Sequence, residues 1–251
     1  MADEDAHAAR DAATAVPAAA ARSPASFRYA IFDLDGTLLD FEGASHIALG
    51  QGLRSVLPPE AMTWELHGTI IGTRPESWSK RLLDALEVPP EKLSPEQYLK
   101  EYDVVIESLY DTLEYMPAAI DLVERLSALG VRLAIATSTP RAAFEKKMAQ
   151  HQRLLAPMDA IVTGDDPAVK HGKPAPDIFL EAARRLGASP SDCVVFEDAP
   201  SGVRAGHEAG AYTVAIPDPR FKGTGDFSPA DRVMGSLQEW LSELPPAPEQ
   251  S

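Results

Sequence analysis

The stretch YAIFDLDGTLL, Tyr29–Leu39, runs from a short apolar segment into two acids, Asp33 and Asp35. The apolar part has the length and the residue types of a buried β-strand. Gly36 follows the second acid and allows a sharp turn without steric cost. The stretch therefore predicts a buried strand that presents two carboxylates at its carboxyl end.

Further short runs of apolar or β-branched residues follow toward the C-terminus, and helical patterns separate them. These runs are VRLAIAT at 131–137, AIVTG at 160–164, CVVFED at 193–198 and AYTVAI at 211–216. Strands that alternate with helices form parallel sheets whose two faces are covered by helices. We therefore predict an α/β fold whose core is a Rossmann-like parallel sheet.

The segment that follows the first strand has a different pattern, because its apolar residues recur at helical spacing. They are Trp78, Leu82, Leu83 and Leu86, and then Tyr98, Val104, Val105, Leu109 and Leu113. One helix starts with a capping box, in which Ser94 is the N-cap and Gln97 the third helical residue. We predict a helical cap at 42–115, a catalytic core at 26–41 and 116–245, and a disordered tail at 1–25.

Composition excludes several classes of function. The chain has 23 Lys and Arg against 38 Asp and Glu, and its net charge of −15 repels nucleic acid and anionic lipid. Cys193 is the single cysteine and there is no Asn, which excludes an internal disulfide and N-glycosylation. We expect a monomeric cytoplasmic protein with no nucleic-acid or membrane partner. Organelle import is disfavoured, because transit peptides are poor in acids and Asp3, Glu4 and Asp5 stand near the start.

Polar residues follow several of the predicted strands. In open α/β sheets ligands bind beyond the carboxyl ends of the strands, so the following residues could face one crevice. They are Asp33, Asp35, Thr137, Glu197 and Asp198. An acid in such a position, taken alone, is commonly a turn or a helix cap. Two carboxylates about 4 Å apart repel by about 4 kcal/mol at an effective dielectric near 20. A divalent cation would offset that cost, and oxygen ligands alone favour Mg²⁺ over zinc.

Four short motifs carry a resemblance to a known family. They are DLDGT at 33–37, ATST at 136–139, GKPAPD at 172–177 and VFEDAPSG at 195–202. In this order they resemble the motifs of the haloacid dehalogenase-like phosphohydrolases, over about residues 27–240. The helical insert resembles the cap of the β-phosphoglucomutase-like branch. The stretches GDDPAVKHGKPAPDIF and FEDAPSG are most similar to sugar-, glycerol- and pseudouridine-phosphate phosphatases.

The chemistry of phosphoryl transfer suggests a role for each core residue. Asp33 is the candidate nucleophile that forms an aspartyl-phosphate, and Asp35 is the candidate acid and base. Thr137 offers a hydroxyl donor and Lys173 a positive charge to the transferring phosphoryl group. The resemblance further implies that Mg²⁺ is bound by the Asp33 carboxylate, the Asp35 backbone carbonyl and Asp198. By the same resemblance, Glu197 either binds the metal or positions a water on it.

The remaining candidates concern the substrate. Ser138 either shares the phosphate contact or only helps the turn after its strand. Arg74, in IIGTRPES at 70–77, aligns with the cap stretch that faces the site in the resembling branch, so it either contacts substrate or makes a surface salt bridge. Phe41 replaces a small polar residue common in that branch, and His46 lies one position from the cap histidine of the mutases. Both departures favour hydrolysis over mutase activity.

We therefore expect a Mg²⁺-dependent phosphatase that acts on a small phosphorylated metabolite, namely a sugar, polyol or nucleoside phosphate. One alternative is a phosphosugar mutase of the β-phosphoglucomutase type. The other is a non-catalytic binding protein that kept the fold.

Overall fold

A computed structural model describes residues 22–71, 75–221, 223 and 225–248. Arg74, the candidate substrate contact, lies outside the described residues, so its role stays a prediction. The first described residues already contact the core. The Arg22 guanidinium donates to the Ser191 carbonyl at 2.7 Å and lies over the Phe27 ring. Part of the tail predicted at 1–25 is therefore packed from Arg22 onward.

The core of the fold is a six-stranded parallel sheet. Its strands are β1 Tyr29–Phe32, β2 Arg132–Thr137, β3 Ala160–Thr163, β4 Cys193–Glu197, β5 Tyr212–Ala215 and β6 Arg232–Val233, in the order β3-β2-β1-β4-β5-β6. The predicted α/β class and parallel sheet are confirmed. The sequence pattern missed β6, because two residues are too few to show an alternating pattern.

Helices cover the sheet and fill the segment after β1. The helices are α1 Phe41–Gly52, α2 Trp64–Gly68, α3 Pro75–Ala85, α4 Pro95–Leu109, α5 Ala119–Ala128, α6 Arg141–Met148, α7 Gln152–Leu155, α8 Asp177–Leu186, α9 Pro200–Glu208 and α10 Leu237–Glu243. Short 3₁₀ turns lie at Pro24–Ser26, Pro59–Ala61, Tyr110–Thr112, Pro190–Asp192 and Pro219–Phe221.

The strand β1 lies in the middle of the sheet because it is apolar on both faces. Phe32 pairs in register with Ile135 of β2 and Phe196 of β4, and its ring stacks on that of Phe196. Ile31 points to the opposite face and packs in a second apolar cluster with residues of α8. The central position of β1 brings its carboxyl end beside those of β2 and β4.

The segment Phe41–Thr112, called the helical insert below, has its own apolar cluster. Leu82, Leu83 and Tyr98 are buried there together, as the helical spacing predicts. Val104 is a correction, because its side chain is 68% exposed whereas the pattern placed it on the buried face. In the helix the buried stripe includes Ile106, and Val104 lies two residues away on another side of α4.

The two connections between the core and the helical insert run side by side. The Asp40 amide donates to the Glu114 carbonyl at 2.9 Å, and the Met116 amide donates to the Leu38 carbonyl at 3.0 Å. The chain therefore leaves and re-enters the core through one paired segment. No helix in the described part of the chain is long and apolar enough to cross a membrane. The cytoplasmic location and the monomeric state stay predictions.

The capping box predicted at the start of α4 is present. The Gln97 amide donates to the Ser94 hydroxyl at 3.3 Å, and the Ser94 amide donates to the Gln97 side chain at 3.1 Å. Both hydrogen bonds satisfy donors that the first turn of a helix leaves without an intrahelical partner.

Replacing Ser94 tests how much this cap stabilises the insert. Ser94→Ala should lower the free energy of unfolding by about 1 kcal/mol, because the Gln97 amide loses its acceptor. Chemical denaturation and hydrogen exchange of the α4 amides would measure the loss. The control is Ser108→Ala in the same helix, since its exposed hydroxyl only donates to the Val105 carbonyl. Equal losses in both variants would contradict the capping role.

Candidate active site

The carboxyl ends of β1, β2 and β4 bring three of the sequence-predicted residues together. Asp33 follows β1, and its amide donates to the Phe196 carbonyl of β4 at 3.0 Å. Thr137 is the last residue of β2 and Glu197 the last of β4. All three side chains are buried. Polar groups in this position need partners, because a buried charge without one is costly.

Lys173 supplies the positive charge of this edge. Its ammonium donates to Asp33 Oδ1 at 2.5 Å, to Glu197 Oε1 at 2.6 Å and to the Ala136 carbonyl at 3.2 Å. Burial acts to lower the Lys173 pKa, but the Asp33 and Glu197 carboxylates outweigh that effect and raise it. The lysine is therefore a fixed cation between the ends of β1 and β4.

Asp198 adds a third carboxylate to the cluster. Asp33, Glu197 and Asp198 each offer an oxygen, and these oxygens all lie within 4.8 Å of one another. The Thr37 hydroxyl donates to Asp198 Oδ1 at 3.0 Å and so orients that carboxylate. Such a set of oxygen donors fits a hard divalent cation.

The Lys173 ammonium alone does not balance the negative charges of the cluster. Burial raises the pKa of Asp33 to about 7 against the opposing effect of the Lys173 ammonium. Burial also raises the pKa of Asp198 well above its usual range, and the Glu197 and Asp33 carboxylates add to the effect. One ammonium faces three carboxylates. The residues present therefore fit a divalent cation, which would offset their repulsion.

Two glycines leave room for these carboxylates. A Cβ on Gly36, which has a φ of +89°, would lie 2.2 Å from Asp198 Oδ2. A Cβ on Gly202, in the first turn of α9, would lie 1.7 Å from Glu197 Oε1. Real atoms cannot approach so closely. Each glycine is therefore required for the observed position of one acid.

The Asp35 side chain contacts two residues that the sequence analysis missed. The Lys147 ammonium of α6 donates to Asp35 Oδ1 at 2.6 Å, and the Thr139 hydroxyl donates to Asp35 Oδ2 at 2.7 Å. Thr139 belongs to the ATST motif, so its position could have indicated a role. The sequence signal for Lys147 is weaker. Lys147 lies three residues after the buried Phe144, so both residues share one face of α6.

Ser138, a predicted phosphate contact, and a cavity lie at the same edge of the sheet, and the role of Ser138 stays a prediction. Ser138 follows β2 and its side chain is exposed. A cavity of about 110 Å³ joins Asp198 to the helical insert, and its walls include Glu42, Ile71 and Phe221. Glu42 also pairs with His67 at 3.1 Å. A small molecule that reaches Asp198 would therefore contact both the core and the insert.

Replacing Gly202 tests the close packing around Glu197. Gly202→Ala should lower the free energy of unfolding by about 1–3 kcal/mol, because the added methyl group must displace a buried carboxylate that pairs with Lys173. Helix propensity alone would predict the opposite, a gain in stability, because alanine is favoured over glycine in helices. The control is Gly172→Ala, because a Cβ there meets nothing within 4 Å. Chemical denaturation would measure both, and equal stability of the two variants would contradict the packing argument.

Comparisons with known proteins agree with this geometry. A family model described as haloacid dehalogenase-like hydrolase matches residues 27–210. A (DL)-glycerol-3-phosphatase of Arabidopsis thaliana is 36% identical, over 92% of this chain and 97% of the relative. A fructose-1-phosphate phosphatase of Escherichia coli is 37% identical, over 75% of this chain and 97% of the relative.

A solved structure gives the same result for the fold. It is a HAD family hydrolase from Deinococcus radiodurans with bound phosphate and sodium. The two chains superpose with a TM-score of 0.70 at 26% identity, over 89% of this chain and all of that one. The resemblance carried by the four motifs is thereby confirmed, and the chain belongs to the haloacid dehalogenase-like hydrolases.

Proposed function

We propose that the chain is a Mg²⁺-dependent phosphatase that hydrolyses a small phosphomonoester through an aspartyl-phosphate on Asp33. The observation that carries the proposal is the Asp33 carboxylate, which lies 2.5 Å from the Lys173 ammonium within a cluster of three acids. A nucleophilic carboxylate beside a fixed cation and an oxygen-only metal site suits attack on a phosphate ester.

We assign one or more residues to each step of the proposed reaction. Asp33 attacks phosphorus while Lys173 and the Thr137 hydroxyl stabilise the charge on the phosphoryl oxygens. Asp35 donates a proton to the leaving alkoxide and then accepts one from the water that hydrolyses the aspartyl-phosphate. Asp33, Glu197, Asp198 and the Asp35 backbone carbonyl would hold Mg²⁺. When bound, the ion supplies a Lewis acid that neutralises charge on the phosphoryl group.

The comparisons support a small substrate of the sugar or polyol phosphate class. Two relatives that match most of their own length are named for glycerol 3-phosphate and fructose 1-phosphate. The cavity beside Asp198 has a volume of about 110 Å³, and its walls come from both the core and the helical insert. Nucleoside phosphates stay within the proposed class as a third group to test.

A phosphate-release screen tests the reaction and its metal together. We expect release from glycerol phosphates or sugar phosphates with Mg²⁺ present. Strong chelation should abolish release and lower the melting temperature, and Mg²⁺ should restore both, because an ion that binds the folded state stabilises it. A phosphosugar mutase would instead need a bisphosphate activator and release little phosphate, and a binding protein would release none.

Matched variants assign the metal response to the carboxylate cluster. Asp198→Asn should lose the rise of the melting temperature with Mg²⁺. Asp165→Asn should keep it, because Asp165 follows the edge strand β3 and accepts the Arg141 amide at the start of α6. Release that continues in strong chelator would contradict the metal assignment.

Replacing Asp33 or Asp35 with asparagine distinguishes the role of nucleophile from the role of acid and base. Asp33→Asn should form no covalent intermediate, because an amide oxygen is a poor nucleophile. Asp35→Asn should keep the nucleophile but lose proton transfer, a step worth about 10²–10⁴-fold in rate. With an aryl phosphate, whose leaving group hardly needs a proton, the Asp35→Asn enzyme should be phosphorylated and then stall.

Mass spectrometry after a rapid acid quench would detect the difference. A phosphoryl group should be added to the Asp35→Asn protein and not to the Asp33→Asn protein. An adduct that maps to any residue other than Asp33 would overturn the mechanism.

A further inference from the structure

Both carboxylate oxygens of Asp35, the proposed acid and base, accept hydrogen bonds. Lys147 binds Oδ1 at 2.6 Å and Thr139 binds Oδ2 at 2.7 Å, and the lysine also approaches the Thr139 hydroxyl at 3.4 Å. We propose that Lys147 and Thr139 are positioning residues that hold the Asp35 carboxylate in place for proton transfer. The inference rests on the proposed phosphatase function, because it gives Asp35 the role of acid and base.

Lys147 differs from an ordinary surface lysine in its burial. Its side chain is 1% exposed, whereas that of the adjacent Lys146 is 58% exposed and pairs with Glu107 of α4. Lysine is almost never fully buried unless it is paired, because a lone buried ammonium is costly. Among the residues that the structure describes, Asp35 is the one carboxylate paired with Lys147. The buried Lys147 ammonium is therefore compensated by the Asp35 carboxylate.

Aromatic rings fix the ammonium from the other side. Its nitrogen lies 4.0 Å from the centre of the Phe41 ring and 5.6 Å from that of Tyr110. Both rings attract a cation through their electron-rich faces. Phe41 begins α1 and Tyr110 follows α4, so the two rings come from the first and last parts of the helical insert, next to its connections with the core. The Phe41 ring thus forms one wall of this site.

The contacts leave Asp35 able to exchange protons. Each carboxylate oxygen has two lone-pair directions, so an oxygen that accepts a hydrogen bond can still bind a proton. In the proposed reaction Asp35 gives its proton to the leaving oxygen and takes one from water. The Asp35 side chain is 20% exposed, so without its two donors it is free to turn toward solvent. A reacting group displaced by about 1 Å can cost about 10²-fold in rate.

Rapid mixing with p-nitrophenyl phosphate tests the inference, using Lys147→Met and Thr139→Val. Both variants should keep the initial burst of nitrophenolate, because formation of the aspartyl-phosphate hardly needs an acid with this leaving group. Turnover after the burst should fall by about 10²-fold, because a misplaced base activates water poorly. Because the phosphorylated enzyme then accumulates, KM for p-nitrophenyl phosphate should fall together with turnover, and kcat/KM should stay close to that of the parent enzyme. With a glycerol phosphate the first step should slow as well, so kcat/KM should fall.

Two controls separate positioning from a general structural effect. Lys146→Met removes the neighbouring lysine, whose exposed ion pair contributes little, and should behave as the parent enzyme. Adding Lys147→Met to Asp35→Asn should cost no further activity, because residues that act through one group are not additive. Melting temperatures would verify that each variant is folded, and Thr139→Val tests the inference with the ammonium left in place.

The outcomes are distinct for the two claims. If the burst and the turnover of both variants fall together, or if both variants turn over like the parent, the inference is wrong. A further loss of activity in the Asp35→Asn background would also overturn it. If the parent enzyme itself forms no nitrophenolate and no phosphorylated Asp33, the proposed function fails, and the inference fails with it.

Discussion

The ammonium of Lys173 joins the two central strands at the edge of the sheet where we propose that the reaction takes place. It contacts Asp33 after β1 and Glu197 at the end of β4, and it comes from a part of the chain 140 residues beyond Asp33. Three carboxylates gathered at one sheet edge repel each other, and removing one partner of a buried ion pair typically costs about 3–5 kcal/mol. The arrangement of this edge therefore depends on a lysine from the loop before α8.

Close packing against two glycines also determines where the carboxylates lie. Gly36 and Gly202 leave space that the Asp198 and Glu197 carboxylates occupy. The carboxylates still outnumber the ammonium, and burial raises the pKa of Asp33 and Asp198. The features that make this edge costly to fold are the same features that would suit it to the divalent cation and the phosphate ester of the proposed reaction.

Each of the two acids Asp33 and Asp35 pairs with its own buried lysine. Lys173 pairs with Asp33, and Lys147 pairs with Asp35. The second pair is enclosed by Phe41 and Tyr110, which lie next to the two connections to the helical insert. These connections are also paired through the Asp40 and Met116 amides. The helical insert is thus physically continuous with the surroundings of Asp35, and its position bears on the acid as well as on the substrate cavity.

The sequence alone determined the parallel sheet, the helical insert, the capping box of α4 and the gathering of acids at one edge. Each of these follows from local periodicity or from short motifs, because residues near in the chain carry the signal. Only the tertiary structure decided that Lys147 is buried against Asp35, that Gly202 makes room for Glu197 and that Val104 is exposed. It also decided the two-residue strand β6. These features depend on contacts between segments far apart in the chain, or on which side of a helix meets a neighbour, and no local pattern encodes such distances.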